Sequence, residues 1–194
     1  MTTQPDPPTE ERPVIRGSVL IGYRDWLRAR GHLDAVRARL TDATRALLDD
    51  PPFRTAWVDV APLDEIVDVL AAVAGLDANR AMGLDTTRET LRGVLRPILE
   101  SVLRRFGASP ASVYARLDVL LRTTVPGARA TWTPDGDAAG VVELTLPYVP
   151  REPAVHTYAG ALAYGLELCG RAGTVRVLDI SRASRRARFS IRWE

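Results

Sequence analysis

Apolar residues recur every three or four positions along the first two-thirds of the chain, and at every second position in much of the last third. The first spacing is that of amphipathic helices and the second that of half-buried strands. Val14 and Ile15 read as a short extended piece. Ser18 is placed to cap a helix that carries Val19, Tyr23, Trp26 and Leu27 and stops at Gly31. Leu33, Val36, Leu40, Ala43 and Leu47 form one stripe, which predicts a second helix over 33–48. Residues 53–61 read as a connector, and Pro62 suits the first turn of a third helix with Ile66, Val67, Leu70 and Val73 inward and Gly75 as its stop. A short helix or turn over 77–84 follows. The longest helix is expected from a cap at Asp85, Thr86 or Thr87 to about 106, kinked at Pro97 and stopped by Gly107. Ser109-Pro110 restarts a helix with Val113, Leu117, Leu120 and Leu121 inward, and Val125-Pro126-Gly127 breaks it.

From there the period changes. Ala130 and Trp132 alternate with Arg129, Thr131 and Thr133, and after a turn at Pro134-Asp135-Gly136-Asp137 the return strand presents Val142, Leu144, Leu146 and Tyr148 on one face. A helix over 154–171 follows, slim along Gly160, Ala161, Ala163 and Gly165 and therefore able to sit close to another element. A strand over 175–180 and one carrying Phe189, Ile191 and Trp193 complete the chain. The predicted fold class is α+β: five or six helices, then a ββαββ unit with a four-stranded antiparallel sheet covered by the slim helix. Residues 1–12 read as a flexible arm, and 13–194 as one domain with a helical part, 13–127, and a ββαββ part, 128–194.

Composition narrows this little. A chain of 194 residues, 46% hydrophobic and 26% charged, is long enough to bury a core. No apolar run approaches the roughly 18–20 residues that span a bilayer, and the N-terminus lacks a secretory pattern, so a cytoplasmic location is expected. The single cysteine, Cys169, excludes an intramolecular disulfide and a cysteine-based metal cluster. Every basic residue is Arg, which inflates the phosphate affinity that an Arg count suggests, since the formal charge is only +2.

The opening Ile15-Arg-Gly-Ser-Val-Leu resembles the start of a myxobacterial paralogous family of unknown function. Val142-Glu-Leu-Thr-Leu-Pro-Tyr, His156-Thr-Tyr-Ala-Gly-Ala-Leu, Leu166-Glu-Leu-Cys-Gly-Arg-Ala-Gly and the terminal Phe189-Ser-Ile-Arg-Trp resemble its second half. The layout is similar to the wider group of heme NO-binding (H-NOX) and 4-vinyl reductase-type ligand-binding domains. That resemblance implies a sensor-like fold and names the places where this chain departs from it. Heme NO-binding proteins hold iron through a mid-chain histidine, and no His lies between His32 and His156. They hold the heme propionates with Tyr-x-Ser-x-Arg, where this chain reads Tyr148-Val-Pro-Arg151. The vinyl-reductase-type domains often carry cysteines near the last hairpin, and residues 182–189 have none. No heme, other cofactor or metal is expected.

The remaining candidates are few. Tyr148 and Arg151 could hold an anionic ligand at a pocket mouth, because guanidinium offers a planar fork of donors. His156 opens the last helix beside Tyr158, where it either faces a pocket or is a half-exposed structural residue. Cys169 reads as an inert thiol on the apolar side of its helix, and Asp64, Glu65 and Asp68 as carboxylates that suit the start of the third helix. No catalytic signature is present, so an enzyme is not expected. The leading expectation is a heme-free sensor or protein-interaction module that takes a small apolar or anionic ligand at Tyr148, Arg151, His156 and Tyr158, with a protein partner or a homodimer also in view. A second is nucleic-acid binding through Arg171, Arg176, Arg182, Arg185, Arg186, Arg188 and Arg192, disfavoured because Trp132, Phe189 and Trp193 alternate away from them. A third is a small-molecule enzyme, which needs Tyr148, Arg151 and His156 to converge on one cavity.

Overall fold

Four strands close the chain into one antiparallel sheet: β3 (Arg129–Pro134), β4 (Ala139–Thr145), β5 (Gly173–Ser181) and β6 (Arg186–Trp193), in the spatial order β3-β4-β6-β5. The computed structural model describes residues 12–93 and 109–194. The expected arm up to residue 11, the kink at Pro97 and the stop at Gly107 lie outside the described residues. Each hairpin contributes two neighbouring strands, and β4 pairs with β6 to join them. Val142, Leu144, Val175, Ala187, Phe189 and Ile191 point to one face, against Val155, Ala159, Leu162 and Leu166 of the slim helix α8 (Glu152–Leu168). The period-2 pattern therefore places this half of the core directly.

The helical half keeps the expected order but shifts several bounds. A strand lies inside the expected connector: β1 (Val14–Arg16) pairs antiparallel with β2 (Trp57–Asp59). α1 (Gly17–Ala29) has no capping side chain, so Ser18 does not fill that role. Its first amides donate instead to the loop before β2, Gly17 N to the Ala56 carbonyl at 2.8 Å and Ser18 N to the Arg54 carbonyl at 3.0 Å. The expected helix over 33–48 is two helices, α2 (Leu33–Arg37) and α3 (Asp42–Asp49). Thr41 caps the second, and its hydroxyl donates to Glu65 at 2.9 Å, as does the hydroxyl of Thr44. Glu65 sits on α4 (Val60–Ala74), so a residue far along the chain supplies the acceptor that the break requires.

The opposite correction applies next. α5 (Leu76–Gly93) runs continuously through the expected cap positions. Thr86 donates to the Met82 carbonyl one turn back at 2.7 Å, and Asp85 accepts from Trp26 at 2.9 Å, Arg30 at 2.7 Å and Arg88 at 2.6 Å. Arg88 also forks onto Glu167, at 2.8 and 2.6 Å, so one ionic chain ties α1, α5 and α8 together. Ser109 caps α6 (Pro110–Tyr114) as expected, but the single helix expected from there to Val125 is two, α7 (Leu117–Thr124) following after a break at Ala115 and Arg116.

α5 and α8 cross at backbone contact. A Cβ built on Gly83 would fall on the Thr157 carbonyl, and one on Gly160 on the Arg80 carbonyl. Glycine is required at both positions for this closeness. Arg80 then reaches past α8 and donates to the Val175 carbonyl of β5 at 2.7 Å. The helical core, built on Leu20, Leu27, Ile66 and Leu70, and the sheet core on Phe189 and Ile191 meet across this crossing.

Candidate functional site

The crossing fixes one wall of a cavity of about 250 Å3, bounded by α1, α5, α6, α7, α8 and the inner face of β4. Its lining is almost all hydrocarbon, and the reason is local. Thr86, Thr123 and Thr157 each donate the side-chain hydroxyl to a carbonyl of their own helix, those of Met82, Leu120 and Pro153 respectively. Such back-bonding satisfies the polar atom and leaves a methyl group for the cavity. Tyr114 does the same across helices, donating to the Leu162 carbonyl at 2.8 Å. Val19, Leu117, Leu121 and Leu162 supply much of the remaining surface. No His, Cys or Met occurs among the described lining residues.

Behind Tyr23 and Tyr158 lies a second, much smaller space of about 20 Å3. It shares Ile15, Tyr23 and Tyr158 with the large cavity and adds Asp64, Tyr148 and Val67. The Tyr148 and Tyr158 hydroxyls hydrogen-bond to each other. Burial pushes the phenols of Tyr23, Tyr148 and Tyr158 well above their ordinary value, and the nearby Asp64 charge adds to this. All three are therefore neutral. Burial also pushes the Asp64 carboxyl up to about 6, against a downward pull from Arg151, while Asp68 raises it further. Arg151 itself is paired with Asp68 of α4.

The four residues named from the sequence thus take three different positions. Tyr148 and Tyr158 meet in the recess. Arg151 turns to α4 and lies at the surface. His156 is half-buried on α8, two residues before Tyr158 and so about 200° away around the helix. The sequence reading missed Asp64 and Tyr23 as site residues. A signal for Asp64 was present: it falls between Val60, Leu63 and Val67, inside the buried arc of α4. Cys169 follows α8 as its cap residue, half-buried, and burial raises its thiol. Among the described residues no group of three or more His, Cys, Asp or Glu side chains could hold a metal ion. No helix among them is long and apolar enough to cross a membrane. On the outer sheet face Arg186 and Arg188 flank Glu143 at 3.3 and 3.8 Å, while Trp132 packs inward near Tyr114 and Trp193.

No protein-family model matches the chain, and no curated protein matches it. Solved structures do. The Fe(II) unliganded H-NOX protein from K. algicida superposes with a TM-score of 0.71 at 10% identity, over 93% of this chain and 97% of that one. A Cs H-NOX mutant with 4-cyano-L-phenylalanine at site 5 gives 0.69 at 14% identity, over 93% and 97%. A mutant of T. tengcongensis H-NOX gives 0.64 at 14%, over 93% and 98%. The chain has the H-NOX fold. At these identities the likeness extends to fold and not to ligand.

Proposed function

We propose that this H-NOX-like chain is a heme-free sensor module whose ligand is a small, largely hydrocarbon molecule held between α5, α7 and α8. The observation that carries this reading is the 250 Å3 cavity, where the hydroxyls of Thr86, Thr123 and Thr157 are turned back onto their own helices and that of Tyr114 onto the Leu162 carbonyl. Its volume lies just under the roughly 300–1,000 Å3 of ligand pockets and above the ~150 Å3 that holds benzene. We further place the chain, on its sequence motifs alone, with the myxobacterial paralogous group and the vinyl-reductase-type domains.

The residues do not suit heme. Neither histidine lines the cavity, and residues 94–108 contain no His, Cys, Met or Tyr in sequence. Tyr23, Tyr114, Tyr158 and Tyr164 do line it; burial holds the phenols of Tyr23, Tyr114 and Tyr158 protonated, which disfavours those three as phenolate ligands for iron. The Arg that would meet a propionate is engaged by Asp68. The same pairing, with Asp64 beside it, disfavours an anionic ligand at this end. A non-enzymatic role is supported by the separation of Tyr148, Arg151 and His156.

Two measurements test the reading. Titration with a solvatochromic dye or 1-hexanol should give saturable binding that Ala161→Phe, placed on the cavity lining, abolishes. Addition of hemin should leave its absorption spectrum that of the free cofactor. A stoichiometric complex with a sharpened Soret band would overturn the heme-free reading.

A further inference from the structure

The recess behind Tyr23 and Tyr158 has a shape and a charge that the large cavity lacks. Its volume of about 20 Å3 is enough for one water-sized group. One carboxylate, Asp64, and three tyrosines, Tyr23, Tyr148 and Tyr158, line it among apolar side chains such as Leu63 and Val67. The charged groups around Asp64 are Asp68 of its own helix and Arg151 from the start of α8, and these two pair with each other. Asp64 is thus left without a cation of its own. Three neutral phenols line it with aromatic rings and hydroxyl groups, and a ring face or a hydroxyl oxygen attracts a cation. An ammonium group matches water in size, donates up to three hydrogen bonds and supplies the missing charge.

We propose that this recess is a head-group site for a primary alkylammonium, gripped by Asp64 among the rings of Tyr23, Tyr148 and Tyr158 while the alkyl tail occupies the large cavity. The proposal rests on the cavity reading above and specifies the ligand's class: an apolar primary amine. Ile15, Tyr23 and Tyr158 line both spaces, so the two adjoin, and a ligand with its head in one and its tail in the other passes between these side chains. A trimethylated head is too large for the recess, which separates this site from an open aromatic cage for quaternary ammonium. The raised Asp64 carboxyl agrees with a site that lacks its counter-ion, and the ammonium would return it to the ordinary carboxylate range.

The test compares n-hexylamine, 1-hexanol and N,N,N-trimethylhexylammonium on the full chain by calorimetry. At about pH 8 the amine stays protonated and should bind about ten- to a hundredfold more tightly than the alcohol. The advantage should shrink as pH falls through about 6. Asp64→Asn should reduce the amine-to-alcohol ratio to near one, and the trimethyl compound should show no advantage. Hexanol binding with no preference for the amine, or a preference that survives Asp64→Asn, overturns the head-group site alone. Equal binding of the trimethyl compound also overturns it. Failure of all three ligands to bind overturns the cavity reading and the head-group site together.

Discussion

The large cavity and the small recess share three lining residues and treat polar groups in opposite ways. In the cavity the hydroxyls of Thr86, Thr123, Thr157 and Tyr114 are each satisfied by a helix carbonyl, so the surface offered to a ligand is hydrocarbon. In the recess a carboxylate is desolvated while the nearest cation, Arg151, is committed to Asp68. The same two tyrosines form the partition. A hydroxyl whose hydrogen bond is completed within the protein leaves an apolar surface, whereas a desolvated charge without a cation leaves a polar demand.

The largest effect should come from breaking the wall common to both. Gly160→Val drives a side chain into the Arg80 carbonyl and must part α5 from α8. A loss of about 3 kcal/mol or more, or failure to fold, is expected from urea unfolding. A fully stable valine variant would show that the crossing is not tight.

Asp64 sharpens the contrast through pH. Its folded-state value of about 6 lies above that of an unfolded aspartate, so the folded chain holds the proton more tightly. The stabilisation is fully present below about pH 4 and is lost as pH rises through about 6. Asp64→Asn should therefore be more stable than the parent at about pH 8, by up to roughly 3 kcal/mol, and should flatten the melting temperature between about pH 4 and pH 7. An unchanged slope would show that Asp64 titrates normally.

Filling the cavity and not the recess should give a smaller change of opposite functional sign. Ala161→Leu adds hydrocarbon to the lining and should raise stability by about 1 kcal/mol while weakening 1-hexanol binding. Smaller still, Arg151→Ala removes an exposed partner of Asp68 and should cost under about 1 kcal/mol. It should nevertheless raise the Asp64 titration midpoint, read by carboxyl NMR shifts, since Arg151 pulls that group down. Stability loss without that shift would place Arg151 outside the electrostatics of the recess.

Much of the fold was legible because it is written in short-range pattern. The alternation in β3, β4 and β6 lies within a few residues of what it decides, and the glycines of α8 mark a slim helix although the groups they meet, Arg80 and Tyr114, are far along the chain. Three of the misplaced bounds depend on distant partners. Glu65 of α4 supports the break at Thr41, the carbonyls of Arg54 and Ala56 replace a cap at α1, and Trp26 and Arg30 hold Asp85 on a continuous α5. The site divides in the same way. Tyr148 and Tyr158 flank the junction of hairpin and helix, and the sequence drew attention to that stretch. Asp64 and Tyr23 reach it from α4 and α1, and only their position on apolar stripes hinted at burial.

The order of secondary structure, the two-faced sheet and the slimness of the covering helix follow from the sequence alone, because backbone preference and side-chain period act over a turn or a pleat. Tertiary structure alone decided that Arg151 pairs with Asp68, that Asp64 is partly desolvated without gaining a cation, and that hydrocarbon from five helices lines one space. Desolvation depends on what surrounds a group in three dimensions, and its neighbours in the chain carry little of that information.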